Sequence, residues 1–140
     1  MRFKNALPLL ALLGTIHFLH ADPVNLSELK GDWHLRVMDG YDVRKVRAIL
    51  DFHPDKMRIE GFDACNRISG KLVKKPDGNY SSQLISTRMA CRGQSFTFVS
   101  KRLHETIAEG FTIKEEKRYG IDGITIKSAK HDLFFKRMGE

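Results

Sequence analysis

Residues 61–70 read GFDACNRISG, and a second cysteine closes STRMAC at residues 86–91. Gly61, Asp63 and Asn66 surround Cys65 with residue types that suit irregular backbone, and Gly93 does the same beyond Cys91. Cys65 thus stands in a loop ahead of the strand-like run RISGK. Cys91 stands just before the chain's one helical pattern. Three roles compete for a cysteine so placed: nucleophile, metal ligand, or half of a disulfide. The compartment decides between them, because oxidising compartments convert thiols to disulfides.

The N-terminal stretch MRFKNALPLLALLGTIHFLHA carries Arg2 and Lys4 at its head and no acidic residue. An apolar run from Ala6 to Leu19 follows, broken by Pro8, Gly14, Thr15 and His17, and Ala21 is a small residue. This layout predicts a signal peptide over residues 1–21, cleaved before Asp22, and a mature domain over residues 22–140. The run is short and broken beside the roughly 18 apolar residues of a spanning helix, so no membrane span is expected. No cysteine lies near the cleavage position to take a lipid. The expectation is a soluble monomer in the periplasm.

The formal charge of +7 includes Arg2 and Lys4, so the mature chain carries +5. Its basic residues come in scattered pairs, Lys74-Lys75, Lys101-Arg102, Lys117-Arg118 and Lys136-Arg137, with no block of five like charges. Nucleic-acid binding needs a concentrated basic stripe with aromatic platforms, so no such partner is expected. An anionic membrane surface or polysaccharide suits the charge better.

Most of the mature chain reads as short strands. Trp33, Leu35 and Val37 alternate with His34 and Arg36 over Asp32–Met38, the period of a half-buried strand, with Trp33 in the core. Further strands are expected over Val46–Phe52 and Lys56–Glu60, joined by a turn at His53-Pro54-Asp55. RISGKLVK (67–74) and NYSSQLIS (79–86) flank KPDG and predict a hairpin. From Ser95 to Glu109 the period changes: Phe96, Val99, Leu103 and Ile107 fall at helical spacing, Phe98 widens the stripe, and Gly110 marks the stop. FTIKEE, GITIKSA and DLFFKRM complete a β-β-β-β-β-α-β-β-β order without repeated βαβ units. The predicted class is mainly β (α+β): a strongly curved antiparallel or partly open barrel-like sheet of about eight strands, with one packed helix.

In such an exported chain the even cysteine count predicts a Cys65–Cys91 disulfide. The rival chemistries have less behind them. His34, His53, His104 and His131 are available as bases, but none lies in a recognisable catalytic signature. HETIA at His104 begins like a zinc-binding helix, yet Ala108 stands where the second histidine is needed. GFDACNRISGK ends like a phosphate loop, with Cys65 in the place of its first glycine. No catalytic residue, cofactor or metal site is therefore expected. Asn66 and Arg67, with Arg88, are the candidate ligand-binding residues, although an Asn after a tight loop more often satisfies backbone groups there, and that is the favoured reading of Asn66.

GFDACNRISGKL, then STRMAC about twenty residues later, then a Phe/Leu helix resembles the META/HslJ family of small bacterial envelope domains. The opening LKGDWHLRVMDG is similar to that family's first strand, and the resemblance runs from about Leu26 to the C-terminus. The matching motif positions are Cys65, Asn66, Arg67, Gly70, Thr87, Met89, Ala90 and Cys91; Ala64 departs from the family's usual glycine. The resemblance implies a compact β-rich domain with one helix and no attached enzymatic mechanism. It also implies roles in heat shock, antibiotic tolerance or, in some parasites, virulence or secretion. The leading expectation is a non-enzymatic periplasmic protein that supports the envelope under stress by binding a protein or envelope component. A module binding a small amphiphile or anion is the alternative, and a cysteine-dependent enzyme comes third.

Overall fold

The computed structural model describes residues 24–139; the expected signal peptide and its cleavage position lie outside the described residues. In chain order the elements are β1 (Gly31–Met38), β2 (Tyr41–Asp42), β3 (Ile49–His53), β4 (Arg58–Phe62), β5 (Arg67–Lys71), β6 (Val73–Lys74), β7 (Tyr80–Ser81) and β8 (Ile85–Ser86). Helix α1 (Gln94–Glu109) and strands β9 (Thr112–Arg118), β10 (Ile121–Lys127) and β11 (Asp132–Arg137) follow. The main sheet is antiparallel and open, in the order β8-β5-β4-β3-β1-β11-β10-β9, with β2 paired to β1. Among the described residues the expected mainly-β class with one α-helix is therefore observed.

Local sequence explains the turns. β1 meets β2 through Asp39-Gly40, and β9 meets β10 through Tyr119-Gly120, with positive φ at all four residues. Two-residue connections need that conformation to match the strand twist, and glycine takes it without steric cost. Two strand expectations need correction. The strand expected over Val46–Phe52 starts at Ile49, because Arg44–Val46 is a 3-10 turn closed by Arg47 in the left-handed region. That expected over Lys56–Glu60 runs over Arg58–Phe62, because Pro54–Lys56 forms a second such turn ahead of Met57.

The KPDG hairpin forms, but it serves two sheets. Ile68 faces Ser86 and Val73 faces Ser81, so β5–β8 and β6–β7 share one register. Between them Leu72 turns its N–H to Met57 (2.8 Å) and Ser82 turns its own to Ile107 (3.0 Å), which interrupts the ladder. The tip then reaches Phe111 through a bridge at Tyr80 and links the β8 end of the sheet to the start of β9. That link is what makes the open sheet barrel-like.

Leu35, Leu50, Phe52, Ile59, Ile124, Ile126, Leu133 and Phe135 point from the strands into one core, with Trp33 beside them. Val99, Leu103 and Ile107 lay the helix across it, as their spacing predicts. Each such side chain, fully buried, contributes about 1.5–3 kcal/mol against the entropy of folding. Trp33 donates from Nε1 to the Leu29 carbonyl (2.9 Å), which satisfies its polar edge inside the core. Gly110 ends the helix with φ of +115°.

Candidate functional site

The loop that follows β4 is organised by one carboxylate. Asp63 is buried, and its Oδ1 accepts from the backbone N–H of Cys65 (2.8 Å) and Asn66 (2.6 Å). Its Oδ2 meets Nε2 of His104 on α1 at 2.6 Å, and the Asp63 N–H donates to the Asn66 carbonyl (2.9 Å). Burial pushes the Asp63 carboxyl up, but the hydrogen bonds from His104, Asn66, Cys65 and Ser100 outweigh it and hold it below the usual range. Ala64 crosses this turn with φ of +87°, a conformation natural to glycine and costly for a residue with a Cβ.

Cys65 and Cys91 are disulfide-bonded, with their Cα atoms 4.8 Å apart. Asn66 adds a second link to the same segment. Its Oδ1 accepts from the Met89 N–H (2.6 Å) and the Thr87 hydroxyl (2.8 Å), and its Nδ2 donates to the Met89 carbonyl (3.0 Å). Thr87 exchanges further bonds with the Arg67 backbone: its N–H donates to the Arg67 carbonyl (3.1 Å), and its Oγ1 accepts from the Arg67 N–H (3.2 Å). Residues 87–91 have no regular structure of their own, so these contacts and the disulfide shape them. We call this arrangement the clasp.

The sequence-selected residues thus divide. Cys65, Asn66, Thr87, Met89 and Cys91 meet in the clasp through side chain or backbone. Gly70 lies one strand inward, where an added Cβ would come within 2.4 Å of Ser82 Oγ and 2.9 Å of the Gln83 carbonyl; only glycine admits that approach. The side chains of Arg67 and Arg88, with Met89 and Ala90, face solvent, and Met89 and Ile85 are each 71% exposed. Asn66, offered as a ligand-binding residue, has both ends of its amide engaged by the protein. Its neighbours Arg67 and Arg88 are the charges presented outward.

Sequence reasoning missed the Asp63–His104 pair. Asp63 two and three residues before the N–H groups it receives is a readable Asx signal, but nothing local points to a histidine 41 positions away. A His–carboxylate pair can orient a general base. Here the adjacent sulfur is committed to the disulfide, 3.5 Å from the Phe96 carbonyl. The other histidines among the described residues are also partnered. His34 Nε2 lies 3.2 Å from the Arg44 carbonyl, and His131 bridges Asp39 (2.8 Å) and Glu105 (3.1 Å). His53 lies 3.0 Å from Asp51, whose carboxyl is raised above its usual range by burial and then by the charge of Asp32. Away from the clasp, Tyr41, Val43, Val46 and Phe98 line an open cleft of about 730 Å³ rimmed by Arg44, Lys45 and the first residues of α1. Among the described residues no helix is long and apolar enough to cross a membrane.

Fold and clasp together define a class: small, β-rich domains whose helix approach is tied to the β4–β5 hairpin by a disulfide and an asparagine. The chain belongs to the META domain family, whose model matches residues 25–138. It is similar to a structure solved by NMR with 24% identity and a TM-score of 0.65, over 81% of this chain and 95% of that one. It is also similar to the NMR structure of a Burkholderia xenovorans protein, with 21% identity and a TM-score of 0.59, over 87% and 94% of the respective chains. These two likenesses concern the fold alone. No curated protein matches the chain.

Proposed function

We propose that this META-domain protein is exported, has no catalytic activity, and supports the cell envelope by binding a protein or envelope component through the surface beside the clasp. The observation that carries this reading is the division within the motif. Its polar groups are spent on holding residues 87–91 in place. What that scaffold presents is an exposed patch of Arg67, Arg88, Met89 and Ile85 at the β8 edge of the sheet. Exposed Met and Ile flanked by cations suit a partner with an anionic and partly apolar face. The basic balance of the chain favours the same partner. Roles in stress or antibiotic tolerance belong to this reading as its physiological form.

Native mass spectrometry of the protein purified from the periplasm tests it, together with N-terminal sequencing. The expected results are a mature chain beginning at Asp22 and a co-purifying species that is lost in Arg67→Glu/Arg88→Glu and at high salt. An intact Met1 in the soluble fraction would count against export. A hydrolase or transferase activity lost in Cys65→Ser but kept in Cys91→Ser would replace binding with catalysis. A bound small amphiphile that survives the arginine changes would favour the apolar cleft instead.

A further inference from the structure

The outer face of the sheet holds a second constellation, distant in role from the clasp. Asp32 of β1 faces Asp51 of β3, and Asp51 faces Glu60 of β4, so three carboxylates stand side by side in one cross-strand row. Like charges directly opposite on neighbouring strands are destabilising. Such a row is unexpected in a chain whose formal charge is +7. His53, two residues along β3, turns its Nε2 into the row, 3.0 Å from Asp51 Oδ2 and 3.5 Å from Glu60 Oε1. One ligand atom each from Asp51, His53 and Glu60 lie within 4.8 Å of one another. All three side chains are between a quarter and a half exposed, so an ion can reach them.

We propose that Asp51, His53 and Glu60 form a binding site for one divalent first-row transition-metal ion, with Zn²⁺ the best match to the donor set. Two observations carry this. The first is geometric: Zn²⁺ bonded to nitrogen and oxygen at roughly 2.0–2.2 Å holds neighbouring donors about 3.3–3.6 Å apart in a tetrahedron. The two distances from His53 Nε2, 3.0 and 3.5 Å, lie close to that. All three ligand atoms fall within 4.8 Å on one antiparallel strand pair, so a small inward turn of the half-exposed Glu60 side chain completes the set. The second is electrostatic: Asp32, Asp51 and Glu60 put three carboxylates beside one imidazole. The cation nearest them, Arg58 opposite His53, reaches only the far oxygen of Glu60 at 3.8 Å, so a dication at the imidazole edge offsets the repulsion that remains between Asp51 and Glu60. One imidazole with two carboxylates favours Zn²⁺ or a similar ion over Mg²⁺ and Ca²⁺, which take oxygen sets. Three protein ligands leave a fourth position for water or for a group on a partner. No metal was expected from the sequence because two cysteines and scattered histidines show no zinc-ligand spacing, and Asp51 and Glu60 lie on different strands. Pairing in register brings them together.

Zn²⁺ titration of the full chain against a competing chelator at neutral pH tests the proposal. One ion should bind per chain, and His53→Gln or Glu60→Gln should weaken binding by roughly tenfold or more. His34→Gln, whose histidine lies outside the cluster, should leave binding unchanged. On the unaltered chain, paramagnetic Co²⁺ should selectively perturb the NMR signals of Asp51, His53 and Glu60, a readout that needs no variant to fold. In metal-free protein Asp51→Asn should be neutral or stabilising, since it removes one charge from the row. Zn²⁺ binding that is absent, or undiminished in His53→Gln, would overturn the site. A marked loss of metal-free stability in Asp51→Asn would assign the cluster to a structural ion pair instead.

Discussion

Asn66 holds Met89 as a neighbouring strand would: its Oδ1 accepts the Met89 N–H at 2.6 Å and its Nδ2 donates to the Met89 carbonyl at 3.0 Å. A side-chain amide carries the same donor and acceptor as a peptide group, so it can dock irregular backbone without a strand register. Of the two links between Cys65-Asn66 and residues 87–91, this one is reversible.

Replacing Asn66 by Ala should therefore destabilise the protein by about 2–3 kcal/mol, from three lost hydrogen bonds at roughly 1 kcal/mol each. Asn66→Asp keeps the acceptor and should cost less. Denaturant unfolding measures both. Equal losses in the two variants would mean that the Nδ2 donation dominates.

Loss of the disulfide should cost about 2–4 kcal/mol, because closing a loop between cysteines 26 positions apart restricts the unfolded chain. Cys65→Ser and Cys91→Ser should be equally destabilised, and the double variant little worse than either, since each single change breaks the same bond. Unequal effects would point to a separate role for one sulfur. Non-reducing peptide mapping of the protein recovered from cells should yield the linked pair.

Acid should unfold the domain through Asp63 and Asp39. Burial raises both carboxyls, but their hydrogen bonds outweigh it and hold both below the usual range; those of Asp39 come from Asp132 N–H, His131 and Arg102. A group with a depressed folded pKa contributes stability above its unfolded value, near 3.9, that is lost as pH falls through the folded value. Stability should thus decline below about pH 4. Asp63→Asn should flatten that decline and lower stability at neutral pH by about 1–3 kcal/mol, because a carboxamide cannot serve the same donors. Thermal unfolding from pH 7 to pH 2 reads both effects.

Ala64→Gly should raise stability by about 1 kcal/mol, the left-handed conformation costing alanine more than glycine's extra entropy in the unfolded chain. Gly70→Ala should do the reverse, by about 1–3 kcal/mol, because its Cβ meets the Gln83 backbone as well as the Ser82 hydroxyl. Paired melting curves decide both signs.

The helix was legible to within one residue, because Val99, Leu103 and Ile107 must share a face and Gly110 cannot extend it. β1 and the last three strands were legible as apolar runs bounded by turns. The alternation expected of Trp33, Leu35 and Val37 nevertheless breaks at a bulge after Leu35 that buries Met38 in place of Val37, and β10 and β11 each bury three residues in a row. The starts of β3 and β4 were not, because Arg47 and Met57 take left-handed conformations that no residue-type preference announces. Of the clasp, the cysteine pair and the motif positions could be read, but not the direction in which Asn66 spends its amide. Nor could Asp63 be assigned to His104, since the helix delivers that ring from far along the chain.

Periodicity, turn chemistry and an even cysteine count are local properties, so the linear chain was enough for a β-rich, single-helix, disulfide-linked domain. Strand order is not local. That β11 lies against β1, and that Asp32, Asp51 and Glu60 fall in one row, follows from how buried faces close over a common core. The register that pairs Trp33 with Leu50 and Phe52 with Ile59 in the core also sets Asp32 opposite Asp51 and Asp51 opposite Glu60 on the other face. The carboxylate row is thus a consequence of packing on the opposite face, which becomes visible only once the strands are paired.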